Sequence, residues 1–187
     1  MPIGGQGGDA PARCALQKAL LDQVGLNHVF DGFALLGNTG GDVVQANRAA
    51  IKAVKPGADF IDYHDAATRV LAQGFIDLKL CKGSVDKVLE DGSYKQFYMH
   101  RTGHWLGLDV HDAGDYMRKG KWRKLKPGMV LTVEPGCYIR PADNVPKAFW
   151  NIGVRIEDDV LVTAAGREVL TASCPKSVAD IESLTAR

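Results

Sequence analysis

The sequence predicts an α+β fold in which helices come before an antiparallel sheet. Before Gly92, apolar residues recur at helical spacing, whereas after it the chain is aromatic, β-branched and interrupted by glycines. In this second half, apolar and polar residues alternate along short runs bounded by Pro-Gly, which is typical of strands. A chain of 187 residues suits one domain with a hydrophobic core of its own.

Five segments have the apolar spacing of amphipathic helices. They are residues 11–24, 42–55, 60–75, 83–89 and 177–184. The glycine-rich run 37–41 is predicted to be a turn or a flexible joint, with Asp42 as the N-cap of the helix that follows. Pro56-Gly57 is predicted to end that helix.

The predicted strands lie in four runs of the second half. They are residues 97–110, 129–139, 150–162 (one long strand or a bent pair) and 169–172, the last after a turn at 164–167. In the second run, Leu131 and Val133 are predicted to face one way, and Thr132 and Glu134 the other. Residues 112–128 are predicted to be a polar, basic loop.

The composition argues against several classes of partner. The formal net charge is +1, so we expect neither nucleic acid nor an anionic membrane as a partner. The basic residues of 118–126 surround Trp122, and a solvated loop is the simpler interpretation than a nucleic-acid patch. No apolar run approaches the roughly 20 residues that span a bilayer. The four cysteines are far apart in sequence, which favours free thiols and a cytoplasmic location.

Three of the five histidines, His100, His104 and His111, lie close together in sequence. Glu134 and Glu157 follow in strand-like runs, so a histidine and two carboxylates could converge on one face of a sheet. Such an oxygen-rich set favours Mn²⁺, Fe²⁺ or Zn²⁺, which would activate a bound water. The alternatives are solvated strand glutamates and a buried core histidine. Arg155 shares a face with Glu157 and is predicted to hold that carboxylate ionised.

Four motifs in this half resemble the aminopeptidase P (Xaa-Pro aminopeptidase) family of pita-bread metallopeptidases. They are residues 99–112, 126–136, 152–159 and 170–173, in the order and at the spacing of the family's signatures. The resemblance extends from about 42 to 176. It implies part of a pita-bread fold, which is a curved antiparallel sheet with helices on its outer face.

The resemblance also implies roles for individual residues. His104, Glu134 and Glu157 stand at metal-ligand positions, Glu157 bridging two ions and Glu134 also shuttling a proton. His100 and His111 stand at substrate-contacting positions, and Arg155 where the metal carboxylates are oriented. The implied cofactor is a divalent ion, Mn²⁺ by preference, with Zn²⁺ or another as alternatives. The implied reaction removes the N-terminal residue that precedes proline from proline-containing peptides.

The chain departs from the family in its first part. The family uses two further aspartates, eleven residues apart on a hairpin, and Asp31 and Asp42 have that spacing here. However, the residues after Asp42 resemble the family's helix beyond the hairpin. We therefore expect the C-terminal part of a catalytic domain in residues 42–187. Residues 1–41 would be an atypical N-terminal segment, either flexible or a replacement for the missing half.

Two further expectations follow from this departure. Sheet edges and apolar surface would be left uncovered, which predicts a homo-oligomer. Loss of two aspartate ligands would reduce or abolish peptidase activity. The alternative function is a non-catalytic pita-bread module that binds peptides or a partner protein.

Overall fold

The structure, a computed structural model, describes residues 33–185. The helices are α1 (Phe33–Ala53), α2 (Asp62–Asp77), α3 (Val85–Asp91) and α4 (Val178–Thr185), with two short 3₁₀ helices at Ser93–Gln96 and Lys147–Phe149. The strands are β1 (Met117–Arg118), β2 (Lys121–Trp122), β3 (Val130–Val133), β4 (Gly136–Ile139), β5 (Ile152–Arg155), β6 (Asp158–Thr163) and β7 (Gly166–Val169). The predicted α+β class is confirmed. The helix predicted at 11–24 lies outside the described residues.

The prediction of a turn at 37–41 with Asp42 as an N-cap is wrong, because α1 runs through both without interruption. Gly40 lies close to α4, since an added Cβ would meet Val178 at 3.4 Å, an ordinary van der Waals contact. Thr39 is buried as well. Packing of α1 therefore outweighs the low helix propensity of the glycines. The helix crosses the predicted boundary at 41/42, and that division into two segments stays a prediction.

The next two helices agree with the sequence in place and type. In α2, Tyr63, Ala67, Leu71 and Phe75 recur every four residues and are all buried, so they form the face that packs inward. Helix α3 begins at the N-cap Ser84, whose hydroxyl accepts from the Lys87 amide, and ends at Gly92 in the left-handed conformation. The closing helix at 177–184 is confirmed as α4.

The strands form three antiparallel units, two of which share one bend. Strand β3 pairs with β6, and β6 with β7, while β4 pairs with β5 and β1 with β2. The run 129–139 is therefore two strands, not one, and the run 150–162 is the bent pair. Both runs are interrupted at the same position in the sheet, between the residue pairs Val133–Asp158 and Gly136–Arg155. Pro135 lies in this gap, where its missing N–H cannot weaken a ladder.

Three strand predictions need correction. Residues 97–110 form no named strand and only one isolated bridge, Trp105 to Leu131. The last strand is Gly166–Val169, earlier than the predicted 169–172, because the turn occupies only Ala164 and Ala165. The predicted loop 112–128 contains the β1–β2 hairpin, which turns through Lys119 and Gly120 at positive φ.

The core lies between the two long helices and the strands. Helix α1 is fixed to β3 by Asn47, whose side-chain amide donates to the Val133 carbonyl over 3.2 Å. Its C-terminal end is held by Arg167 of β7, which donates to the carbonyls of Lys52 and Val54. None of the described helices is long and apolar enough to cross a membrane.

Candidate metal centre

The segment carrying His104 lies along the free edge of β3. The Glu134 amide donates to the Thr102 carbonyl over 2.7 Å, and the Thr132 amide to the His104 carbonyl over 3.0 Å. The His104 amide donates to the hydroxyl of Thr132 instead of to its carbonyl, over 3.0 Å. Gly103 permits this close approach, since a Cβ there would lie 1.9 Å from the Thr132 carbonyl oxygen. The irregular bonding explains why no regular strand forms here.

His104 and Glu134 form the central pair of the site. The two side chains are 13% and 12% exposed, and His104 Nε2 lies 3.4 Å from Glu134 Oε1. The other ring nitrogen, Nδ1, lies 2.9 Å from the Trp105 carbonyl oxygen. A carbonyl can only accept, so Nδ1 carries the proton and Nε2 is the atom directed at Glu134. The hydroxyl of Thr132 donates to the same Glu134 oxygen over 3.1 Å.

Glu157, between β5 and β6 on the second arm of the bend, interacts electrostatically with both members of this pair. Burial, then Glu134 and Asp159, raise its pKa to about 7, while Arg155 and His104 act in the opposite direction. Arg155 therefore acts in the predicted direction, but burial and two neighbouring carboxylates outweigh its guanidinium in setting the pKa of Glu157. A further positive charge beside Glu157 would favour its ionised form.

Arg155 is linked to His100 through Tyr138. Arg155 Nε donates to the Tyr138 hydroxyl over 2.6 Å, and that hydroxyl lies 3.0 Å from His100 Nε2. Arg155 also lies 3.6 Å from Glu134 Oε2, so it connects the two groups of residues. Tyr138 and the hydroxyl of Thr132 were not predicted from the sequence. Tyr138 is an even number of residues from Glu134, a period-two signal that the break at Pro135 conceals.

His111 lies beside His104, whereas Asp42 lies between α1 and α2. The exposed His111 ring packs on His104, with ring centroids 4.2 Å apart. Asp42 lies on α1 against α2, where a Cβ on Gly74 would approach its Oδ2 to 2.4 Å. Burial, then Asp77, raise the pKa of Asp42. Asp42 as a metal ligand stays a prediction, and Asp31 lies outside the described residues.

The donor set fits part of a site for a hard divalent cation. A nitrogen lone pair on His104 facing a carboxylate is stabilised by a positive charge between them, either a proton or a metal ion. Carboxylates of Glu134 and Glu157 supply further oxygen donors. Within residues 33–185, however, no three histidine, cysteine or acidic side chains lie close enough together to hold an ion by themselves.

A histidine and two glutamates at a shared bend of paired strands define a candidate metallohydrolase. The comparisons with known proteins agree. The profile of metallopeptidase family M24 matches residues 41–164. The Xaa-Pro aminopeptidase of Haemophilus influenzae is 49% identical over 142 residues, or 76% of this chain and 33% of that protein. The Escherichia coli Xaa-Pro aminopeptidase is 42% identical over 142 residues, covering 76% of this chain and 32% of that protein.

Solved structures give the same result. Aminopeptidase PepP of Pseudomonas aeruginosa has a TM-score of 0.78 and 50% identity, covering 80% of this chain and 34% of that one. A zinc-substituted E. coli aminopeptidase P in complex with product has a TM-score of 0.74 and 40% identity. The match covers 80% of this chain and 34% of that one.

The chain belongs to metallopeptidase family M24, and its fold is part of the pita-bread fold of aminopeptidase P. The resemblance seen in the four sequence motifs is thereby confirmed. The chain spans about a third of the length of the curated relatives it matches.

Proposed function

We propose that this chain carries part of the active site of a Xaa-Pro metallo-aminopeptidase. The observation that carries the proposal is the placement of His104 Nε2 at 3.4 Å from Glu134 Oε1, in a largely buried setting. The proposed substrate is a peptide with proline in the second position. The proposed reaction is hydrolysis of the bond between the first residue and that proline.

The proposed roles divide the site into two groups. His104, Glu134 and Glu157 would contribute ligands to a divalent ion, with Mn²⁺ preferred over Zn²⁺ because oxygen donors dominate the set. A bound ion would supply an activated water at neutral pH. Glu134, which is hydrogen-bonded to Thr132, would receive the proton of that water and return it to the leaving amine.

The second group would bind and orient the substrate. Tyr138 lies 3.0 Å from His100 Nε2 and places this ring beside Arg155. His111, exposed and packed on His104, is proposed to donate a hydrogen bond to the scissile carbonyl. Arg155 is proposed to orient the carboxylate of Glu134, which is 3.6 Å from its guanidinium.

A peptide assay tests the proposal. Purified protein would be incubated with Mn²⁺ and a peptide of the type Xaa-Pro-Xaa, with Xaa-Ala-Xaa as the specificity control. Glu134→Ala should lower turnover at least about a hundredfold, since it removes a ligand and the proton acceptor together. Glu168→Ala, at an exposed glutamate of β7, is the matched control and should leave turnover unchanged. Equal turnover by wild type and Glu134→Ala would refute the proposal.

One observation favours a second function, a non-catalytic module that binds peptides. The described residues do not enclose an ion by themselves. If this function is correct, wild type and Glu134→Ala would both bind the proline peptide without metal and neither would cleave it. Reduced activity is the intermediate case, in which the ligand set binds one ion weakly.

We also propose a cytoplasmic homo-oligomer. Cys81 and Cys137 are free thiols, which suits a reducing compartment. Leu108 and Val110 expose apolar surface that a second copy could cover. Light scattering after size exclusion tests the assembly, and a stable monomer at micromolar concentration would contradict it.

A further inference from the structure

A buried polar network lies directly behind the metal centre, on the side of α2. His64 Nδ1 lies 3.2 Å from the Thr102 amide nitrogen, which donates to it, and 3.0 Å from the Thr102 hydroxyl. The hydroxyl of Thr102 is in turn 2.6 Å from the hydroxyl of Tyr98. Thr102 is fully buried and Tyr98 is 1% exposed. Neither motif nor proposed role accounts for His64.

The geometry fixes the protonation of the His64 ring. A backbone amide can only donate, so Nδ1 must be the unprotonated, accepting nitrogen. The ring proton then lies on Nε2, which is 3.5 Å from the hydroxyl of Thr68. Burial, with Arg101 and His100 adding to it, lowers the pKa of His64 to about 4, in agreement with a neutral ring.

Thr102 connects His64 to the two proposed metal ligands, Glu134 and His104, in two ways. Its carbonyl accepts from the Glu134 amide over 2.7 Å, which fixes the backbone of one proposed ligand. It also precedes Gly103 and His104, so its position sets where the imidazole of the other ligand begins. Without His64, the buried Thr102 amide would lose its acceptor, and such orphaned donors force local rearrangement.

We propose that His64 is a positioning residue of this site. Its Nδ1 holds the Thr102 peptide in place and so keeps His104 Nε2 opposite Glu134. The consequence for metal affinity rests on the proposed function, whereas the positioning of the two residues does not. Partners that orient metal ligands typically change metal affinity about 10- to 100-fold when they are removed.

Three substitutions of His64 separate positioning from simple packing. In His64→Asn, the side-chain oxygen occupies the place of Nδ1 and still accepts from the Thr102 amide. In His64→Gln, the amide group reaches the place of Nε2 and leaves that of Nδ1 empty, and His64→Leu removes both. A packing role ranks these variants by shape and hydrophobicity, whereas a positioning role ranks Asn above Gln and Leu.

The first measurement needs no metal. Amide hydrogen exchange of Thr102, His104 and Glu134 is compared with that of core amides in α2. We expect the three site amides to exchange about tenfold faster in the Gln and Leu variants, the effect of one lost hydrogen bond, and at nearly the wild-type rate in Asn. Equal acceleration of site and core amides, or no advantage of Asn over Gln, would overturn the proposal.

The second measurement is Mn²⁺ affinity by electron paramagnetic resonance. We expect at least about tenfold weaker binding in the Gln and Leu variants and rescue by Asn. Unchanged affinity in all three would overturn the positioning role even if wild type binds Mn²⁺. Absence of Mn²⁺ binding by wild type would overturn the proposed metal site instead, while the exchange pattern still decides the role of His64.

Discussion

Replacing Gly103 with alanine should disrupt the edge of β3 on which the candidate site is built. The added Cβ would lie 1.9 Å from the Thr132 carbonyl oxygen and 2.8 Å from its hydroxyl oxygen. The hydroxyl is held, since it accepts from the His104 amide over 3.0 Å and donates to Glu134 over 3.1 Å. Separating the segments to an ordinary contact distance stretches two or three hydrogen bonds. At about 1 kcal/mol each, we expect a loss of about 2–3 kcal/mol in the free energy of unfolding.

Urea unfolding measures this loss, and Gly41→Ala is the matched control. Gly41 lies inside α1, where an added Cβ would meet nothing within 4 Å. There the substitution should stabilise the protein by about 0.5–1 kcal/mol, because alanine has the higher helix propensity. A Gly103→Ala protein as stable as wild type would refute the close approach of Gly103 to Thr132.

Two further predictions concern buried charge. The folded pKa of His64 is about 4 against an ordinary 6.5, so the unfolded state takes up the proton first and stability falls as the pH drops from 6.5 to 4. The free-energy difference between wild type and His64→Asn should change by about 2.5 kcal/mol from pH 7.5 to 4.5, and parallel profiles would contradict it. Asp158 is fully buried and bonds Lys176 Nζ over 2.6 Å, so Asp158→Asn should cost about 3 kcal/mol in urea unfolding. Asp86→Asn, in an exposed pair, should cost nothing measurable, and equal costs would refute the reasoning.

The helices were predicted correctly where the apolar spacing agrees with the residues that begin and end a helix. The spacing of Ala67 and Leu71 places α2, and Ser84 and Gly92 bound α3. The run 37–41 was wrongly predicted because glycine indicates a joint locally, whereas the burial of Thr39 and Gly40 in the packed protein favours a helix there. Long-range packing of this kind leaves no signal in the local sequence.

The strands, too, were predicted only in part. Alternation correctly placed Thr132 and Glu134 on one face, as the hydrogen bond between them demonstrates. It did not reveal that β3 and β5 both end at a common bend, because pairing register is a property of two segments together. The segment that carries His104 has strand-like composition, but its His104 amide bonds the hydroxyl of Thr132 and not a carbonyl of β3, and composition does not encode that substitution.

The sequence predicted which residues form the site, but not how their side chains bond to one another or how their charges interact. His104 and Glu134 were expected together and lie 3.4 Å apart. The link from Arg155 through Tyr138 was not expected, because it depends on which side chains meet across the β4–β5 pair. The raised pKa of Glu157 likewise depends on burial, which sequence alone does not give.

The central proposal is that His104, Glu134 and Glu157 each contribute a ligand to one divalent ion. Anomalous diffraction from crystals grown with Mn²⁺ tests it most directly. The claim predicts an anomalous peak within about 2.5 Å of His104 Nε2 and of oxygens from both glutamates, distances typical of metal ligation. An anomalous map without a peak between these three side chains, from crystals in which they are well ordered, would contradict it.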